Sequence, residues 1–286
     1  MNLLKSVFIS AFVTWLTLLS LYAFSQLISG SEPLLSWLGL ALTALAPLVF
    51  FLKAFLFKSP RTPRHPVEFS ILSSLGVAVT MAMSFRYGQA AGVIHIWAGM
   101  TLLGWLAYLR WYSTFHTRDA KALRVGAKLP QFQLETLDGH MLSSECFMAK
   151  PHLLLFYRGN WCPFCTAQVE ELAGAYQQLK KMGVSVILIS PQPTSKNQRL
   201  AARFDVPMIF LRDRENTAAK QLGIVHRWGT PMGLQVLGYE SDSVLPTLLV
   251  TDAQGQIVFS DQTDNYRVRP DPVAIAELLA TTSLEN

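Results

Sequence analysis

Charge is scarce in this chain. Asp, Glu, Lys and Arg make up 15% of its 286 residues, against roughly 25% in an ordinary soluble domain, which excludes a wholly soluble globule. With 51% hydrophobic residues, intrinsic disorder and collagen-like order are excluded as well. Cysteine is scarcer still: three in all, too few to staple a secreted miniprotein, and a chain this long does not need stapling. None of them precedes Cys146, so the first half cannot relay electrons by dithiol exchange. Also missing are an internal repeat, a low-complexity tract and a second Cys-x-x-Cys. The net charge of +5 suggests nucleic acid until it is counted by position. Residues 1–117 carry seven basic side chains (Lys5, Lys53, Lys58, Arg61, Arg64, Arg86, Arg110) and two acids (Glu32, Glu68); the rest of the chain has 17 of each sign. No basic stripe with interleaved aromatics occurs there, and nucleic acid is rejected as a partner.

What is present is a membrane-like half and a folded half, as a length near 300 residues suggests. Residues 6–31, 34–52, 69–85 and 87–109 are free of ionised side chains. About 20 apolar residues cross the hydrocarbon core as a helix. We therefore expect an α-helical membrane domain of about four transmembrane helices, near residues 6–31, 34–57, 67–85 and 87–112. The third is the shortest and is rich in serine, and Gly76 with its hydroxyl neighbours suits close helix packing. The first is too long for a signal-peptide core and is read as a retained anchor. Lys5, the connection at 53–64 and the exit at 110–128 fall on one side, which places both termini in the cytoplasm. His95 reads as a helix-contact residue, and Trp37, Trp97, Trp105, Trp111 and Tyr112 as including interfacial anchors.

Residues 113–123 read as a basic linker, and 124–286 as an α/β domain. Strands are expected at 131–135, 152–157, 184–190 and 208–211, with a hairpin over 247–251 and 256–260. Helices are expected at 163–182, 195–204, 215–222 and 272–281. The run Leu153-Leu-Leu-Phe-Tyr157 suits a strand buried on both faces. The order β-α-β-α-β-α-β-β-α, after an N-terminal strand, implies a central sheet covered by helices.

Chemistry concentrates at Trp161-Cys162-Pro163-Phe164-Cys165, where the first buried strand turns into its helix. Unpaired N–H groups and the helix dipole at that end favour a thiolate on Cys162. Pro163 fits the first helical position, and Arg158 adds positive potential. Cys165 returns to the same side of the first turn, where it can resolve a bond made by Cys162. A second reading makes the pair half of a zinc site completed by Cys146, His140 or His152. A third makes it purely structural. Cys146 reads as a small, partly buried residue, and the loop at 225–238, with His226, Arg227 and Trp228, as a solvated loop.

The stretch Val125-Gly126, Phe132-Gln-Leu134, Leu137-Asp-Gly139 and Leu154-Leu-Phe-Tyr-Arg-Gly-Asn-Trp-Cys-Pro-Phe-Cys165 resembles the AhpC/TSA (redoxin, peroxiredoxin-like) branch of the thioredoxin fold. The likeness continues through Phe210-Leu-Arg-Asp213, Ala218-Ala-Lys-Gln-Leu-Gly-Ile224 and Leu245-Pro-Thr247, covering about residues 124–280. The resemblance implies an α/β thioredoxin-like domain. It places Pro246, before Thr247, in the cis-proline loop that faces the cysteines. It sets Arg158 where peroxiredoxins carry a loop proline, Cys162 at their threonine and Cys165 at their peroxidatic cysteine. The missing hydroxyl favours a dithiol of the thioredoxin kind, although Phe156 stands where thioredoxin keeps a buried acid. The Tyr266-Arg-Val-Arg-Pro270 run resembles the family's terminal segment without an assignable role.

The expectation is a multi-pass cell-membrane protein with a cytoplasm-facing thiol–disulfide oxidoreductase domain. Cys162 attacks and Cys165 resolves, supported by Trp161, Pro163, Arg158, Pro246 and Thr247. The alternatives are a peroxiredoxin-like thiol peroxidase using the same cysteines and a non-catalytic metal-binding or assembly module. No cofactor or resident metal is expected. The expected partners are a disulfide or dithiol substrate, peroxide in the peroxidase reading, a thioredoxin-type thiol donor, and membrane lipid.

Overall fold

The four apolar runs form four helices: α1 (Asn2–Ile28), α2 (Leu34–Leu56), α3 (Val67–Tyr87) and α4 (Gln89–Ala107). In this computed structural model, residues 1–57, 59–115, 118, 121–272, 274, 275 and 277 are described. The chain divides into two units. Val7–Phe57 and Thr62–Thr114 form one; Met1–Ser6, Lys58–Arg61 and Phe115–Asn286 form the other. All four helices are long and apolar enough to cross a membrane, the third included. Leu21, Phe24, Ile71 and Leu103 are left exposed on the helical unit, a surface suited to hydrocarbon rather than water.

Small and hydroxyl residues bring α2 and α3 together. Ser73 Oγ donates to the Thr43 carbonyl at 3.2 Å, and a Cβ on Gly76 would collide with Thr43 Oγ1 and the Gly39 carbonyl. Gly76→Leu is therefore expected to cost about 1–3 kcal/mol, read as a lowered Tm in detergent. Gly99→Leu, where a Cβ meets nothing within 4 Å, should leave Tm unchanged. His95 Nδ1 lies 3.4 Å from Thr80 Oγ1, tying α4 to α3 as a helix contact. Trp105 departs from the anchor reading: it is fully buried, and its Nε1 donates to Ser70 Oγ at 3.0 Å.

In the other unit the chain runs β1 (Gln133–Thr136), β2 (Met141–Ser143), β3 (His152–Phe156), α5 (Pro163–Lys181), β4 (Ser185–Ser190), α6 (Thr194–Ala201), β5 (Ile209–Arg212), α7 (Thr217–Gln221), β6 (Val225–His226), β7 (Ser243–Val244), β8 (Thr247–Thr251) and β9 (Ile257–Asp261). Seven strands form one sheet in the order β2-β1-β5-β4-β3-β8-β9, and β6 pairs with β7 alone. β3, β4 and β5 are parallel, while β8 runs antiparallel to β3 and β9 to β8. This is a thioredoxin-like α/β domain. Leu154 and Phe156 join Ile187, Ile189, Leu211 and Leu249 in one core. Leu153 and Leu155, which point to the opposite face, are equally buried. Each such side chain contributes roughly 1.5–3 kcal/mol by leaving water.

The differences from expectation are local. The two- and three-residue strands β2, β6 and β7 carry too few residues to show alternation. α7 starts at Thr217 rather than 215 because Glu215 and Asn216 sit in the left-handed region, while the Asp213 carboxylate accepts from the N–H groups of Ala218 and Ala219, both at 2.8 Å. The expected helix at 272–281 falls largely outside the described residues; 272, 274, 275 and 277 are helical.

Candidate active site

The β3–α5 turn holds the chemistry. Residues 158–162 leave the sheet, Pro163 opens α5 at its first position, and Cys162 caps it with extended backbone (φ −93°, ψ 111°). Cys165, three residues on, lies on the same face of the first turn. Both sulfurs are free thiols, with Cys162 1% and Cys165 0% exposed. Gly159, at φ +148°, lets the turn pass beneath its own tryptophan, since a Cβ there would strike Trp161 Nε1.

Polar side chains hold this turn from behind. Gln192 Oε1 accepts from the Asn160 N–H at 2.8 Å, and Gln192 Nε2 donates to Tyr157 Oη at 3.1 Å. Tyr157 Oη in turn donates to Asn197 Oδ1 at 2.7 Å. Burial pushes the Tyr157 phenol well above its ordinary value, so it remains a neutral donor. The loop at 225–238 is solvated at Arg227, Trp228 and 232–238, as expected, but His226, Gly229 and Thr230 pack against the turn. Arg158 Nη2 donates to the Gly229 carbonyl, and Tyr239 Oη just beyond the loop donates to Asn160 Oδ1. His226 is buried against Phe115, its rings 5.2 Å apart, and burial together with Arg158, Lys5 and Arg118 keeps it neutral.

Two guanidinium groups set the electrostatics. Arg158 is buried between aromatic rings, 4.6 Å from the Trp161 centroid and 5.3 Å from that of Tyr266. Arg269 is 5% exposed and brings Nη2 to 3.7 Å from Cys165 Sγ. Burial raises the Cys165 thiol. The hydrogen bond from Cys162, the charges of Arg269 and Arg158 and the Arg158 backbone N–H outweigh it, bringing the thiol down to about 6. Cys162 moves the opposite way: burial, donation to Cys165 and the neighbouring thiolate raise it well above the ordinary thiol value.

The electrostatics favour Cys165 as the thiolate, whereas the sequence reading put it on Cys162. A thiolate was expected on Cys162 from its place at the helix start, but its Sγ makes no capping hydrogen bond there. Burial and the neighbouring Cys165 sulfur favour its protonated form instead. Thiolate absorbance at 240 nm is therefore expected to rise with a midpoint near pH 6. Cys165→Ser should remove that step and Cys162→Ser should retain it; the opposite pattern would restore the original assignment.

Pro246 and Thr247 stand at the start of β8, where Thr247 pairs with Phe156. The Leu245–Pro246 bond is trans, against the expected cis-proline loop: among the described residues the cis bond is Glu32–Pro33. Leu245 N–H bonds back to the Ile224 carbonyl at 2.7 Å, and the Pro246 carbonyl accepts from Arg118 Nη1 at 2.8 Å. That segment is held internally rather than presented for strand pairing. Arg118 also donates to Thr247 Oγ1 and to the Thr263 carbonyl, and the Phe115 N–H donates to the Asp264 carbonyl. The expected linker is thus fastened to the α/β unit at both residues. Cys146 is exposed, unlike the active pair. Among the described residues no three His, Cys, Asp or Glu side chains gather closely enough to hold a metal.

Sequence reasoning left Arg269, Tyr266 and Gln192 without roles. The available signal for the first two was the Tyr266-Arg-Val-Arg-Pro270 run, where a fully buried Arg267 sits beside Arg269.

The AhpC/TSA family model matches residues 125–260, a stretch that contains Cys162 and Cys165 and ends before Arg269. A putative peroxiredoxin bcp of Coxiella burnetii is 33% identical over 104 residues, 36% of this chain and 69% of that protein. The chloroplastic peroxiredoxin Q of Populus jackii is 32% identical over 109 residues, 38% of this chain, and the match spans about half of its length (48%). A thiol peroxidase structure from Chromobacterium violaceum aligns at a TM-score of 0.45 with 20% identity, covering 56% of this chain and 88% of that one. With a family match across the cysteine turn and a relative matched over more than two thirds of its length, this chain belongs to the AhpC/TSA family.

Proposed function

We propose that this chain is a membrane-anchored thiol peroxidase in which Cys165 is the peroxide-reducing thiolate and Cys162 the resolving thiol. The observation that carries this reading is a fully buried Cys165 sulfur beneath the Arg269 guanidinium, its pKa held at about 6. Burial selects the substrate. A sulfur this enclosed favours a small first substrate, and a hydroperoxide is little larger than water.

Cys165–S⁻ attacks the near oxygen of ROOH. The O–O bond breaks, ROH leaves after taking a proton from solvent, and the sulfur becomes Cys165–SOH. Arg269 and Arg158 stabilise the negative charge as it passes from sulfur to the leaving oxygen. Cys162 then attacks the sulfenic sulfur, its thiol proton leaves with the hydroxyl as water, and a Cys162–Cys165 disulfide closes. A thioredoxin-type dithiol donor restores the pair and is itself oxidised. Pro163 at the helix start and Trp161 over Arg158 hold the first turn during this exchange, and Pro246 and Thr247 brace the facing strand.

The test is stopped-flow peroxide consumption by reduced full-length protein, with dimedone trapping of the sulfenic acid. Reduction of a protein disulfide without peroxide turnover would instead favour dithiol exchange, the reading supported by Cys-Pro-Phe-Cys at a helix start. The four apolar helices support the anchor, and the Lys/Arg distribution supports a cytoplasmic C-terminal unit. Reporter fusions to the C-terminus test that orientation.

A further inference from the structure

The guanidinium beside Cys165 is carried by a short segment, and the start of that segment is gripped by a residue outside the chemistry. Arg118 Nη1 donates to the Thr263 carbonyl at 2.7 Å and to the Pro246 carbonyl at 2.8 Å, and Nη2 donates to Thr247 Oγ1 at 2.5 Å. Three acceptors on two stretches of chain match the fork of an arginine, which a lysine's point charge does not reproduce. The Asp261 and Asp264 carboxylates favour the Arg118 charge, so the half-buried cation is compensated where it sits.

What Arg118 holds leads to the thiolate. Arg269 follows Thr263 by six residues, and the chain between them is braced by its own hydrogen bonds. Thr263 Oγ1 donates to the Asn265 carbonyl at 2.8 Å and accepts from the Asn265 N–H at 3.1 Å. Asn265 Oδ1 accepts from the Arg267 N–H at 3.1 Å, and the Asn265 carbonyl accepts from the Val268 N–H at 3.0 Å. Tyr266 packs edge-on against Phe164 in the first turn of α5, their ring centroids 5.5 Å apart. A braced segment passes a displacement at Thr263 onward rather than absorbing it. At its far end is the 3.7 Å approach of Arg269 Nη2 to Cys165 Sγ. The charges that lower Cys165 are those of Arg269 and Arg158, so Arg118 acts through the segment.

We propose that Arg118 is a positioning residue for the nucleophile, seating Arg269 on Cys165 through residues 263–269. The inference rests on the Cys165 thiolate of the reading above.

The test is the 240 nm titration of reduced full-length protein carrying Cys146→Ser, as the parent, Arg118→Met, Arg269→Met and the double variant. From a parent midpoint of about 6, Arg118→Met is expected to raise the value by roughly half a unit to one unit. Once Arg269 is gone, Arg118→Met should add nothing, since the two act on one path. Arg118→Lys, which keeps the charge but not the fork, should fall between the parent and Arg118→Met, and it carries the comparison where the methionine variant does not fold. An unchanged midpoint with a lowered Tm would overturn the inference by showing a brace alone. Equal shifts with and without Arg269 would also overturn it, by routing the effect through Thr247 and its strand partner Phe156. A parent lacking the midpoint near 6, or one that Arg269→Met leaves in place, would mean that the thiolate reading had failed and this inference with it.

Discussion

Cys165→Ser is expected to abolish hydroperoxide consumption, lowering kcat/KM by on the order of a thousandfold or more, the scale on which removal of a nucleophile acts. The serine hydroxyl stays protonated at any working pH and forms no sulfenic acid, so neither the first turnover nor later ones survive. Cys162→Ser should behave differently. Its hydroxyl can still donate to the Cys165 thiolate, so a single burst of one peroxide per chain is expected. The chain should then stall as the sulfenic acid, trapped by dimedone on Cys165. Rapid-quench peroxide assays with peptide mapping distinguish the two variants. A burst that survives in Cys165→Ser and vanishes in Cys162→Ser would transfer the nucleophile to Cys162. The asymmetry has a structural basis: four favourable interactions lower the Cys165 thiol, while burial and the neighbouring Cys165 sulfur raise that of Cys162.

Most of the architecture was legible because it follows from local patterns. The Leu153–Leu155 run, the helical spacing of Val169, Leu172, Tyr176 and Leu179, and the four charge-free stretches each announce an element that the structure contains. The strand-to-helix turn that carries Cys-Pro-x-Cys was legible too, because it is a local signal. The proposed division of labour between the cysteines was not: it depends on Arg269, more than a hundred residues away, and periodicity does not carry that contact. Pro246 shows the same limit: a Leu-Pro-Thr triplet does not reveal its peptide isomer, and the Arg118 hydrogen bonds that hold it come from a segment that reads as linker.

Arg269→Met is the second decisive substitution, because it separates two ways in which the guanidinium acts. A hydrogen bond to a charged group is worth about 1.5–3 kcal/mol, and one pKa unit corresponds to about 1.4 kcal/mol. Losing Arg269 should therefore raise the Cys165 midpoint from about 6 by roughly one to two units. At pH 6 the variant then carries roughly a fifth to a fiftieth of the wild-type thiolate, and kcat/KM there should fall in proportion. At pH 9 both proteins are ionised. A remaining deficit there measures charge stabilisation on the leaving oxygen, and full recovery shows that Arg269 acts only through the thiolate. Stability follows the same linkage. Because the folded thiol titrates near 6 and an unfolded one near 8.5, the thiolate's contribution is complete above the unfolded value and is lost as pH falls through 6. Reduced wild type should therefore gain stability between pH 6 and pH 8.5, and Arg269→Met should flatten that rise in urea unfolding. An equal rise in both proteins would show that Arg269 does not hold the thiolate.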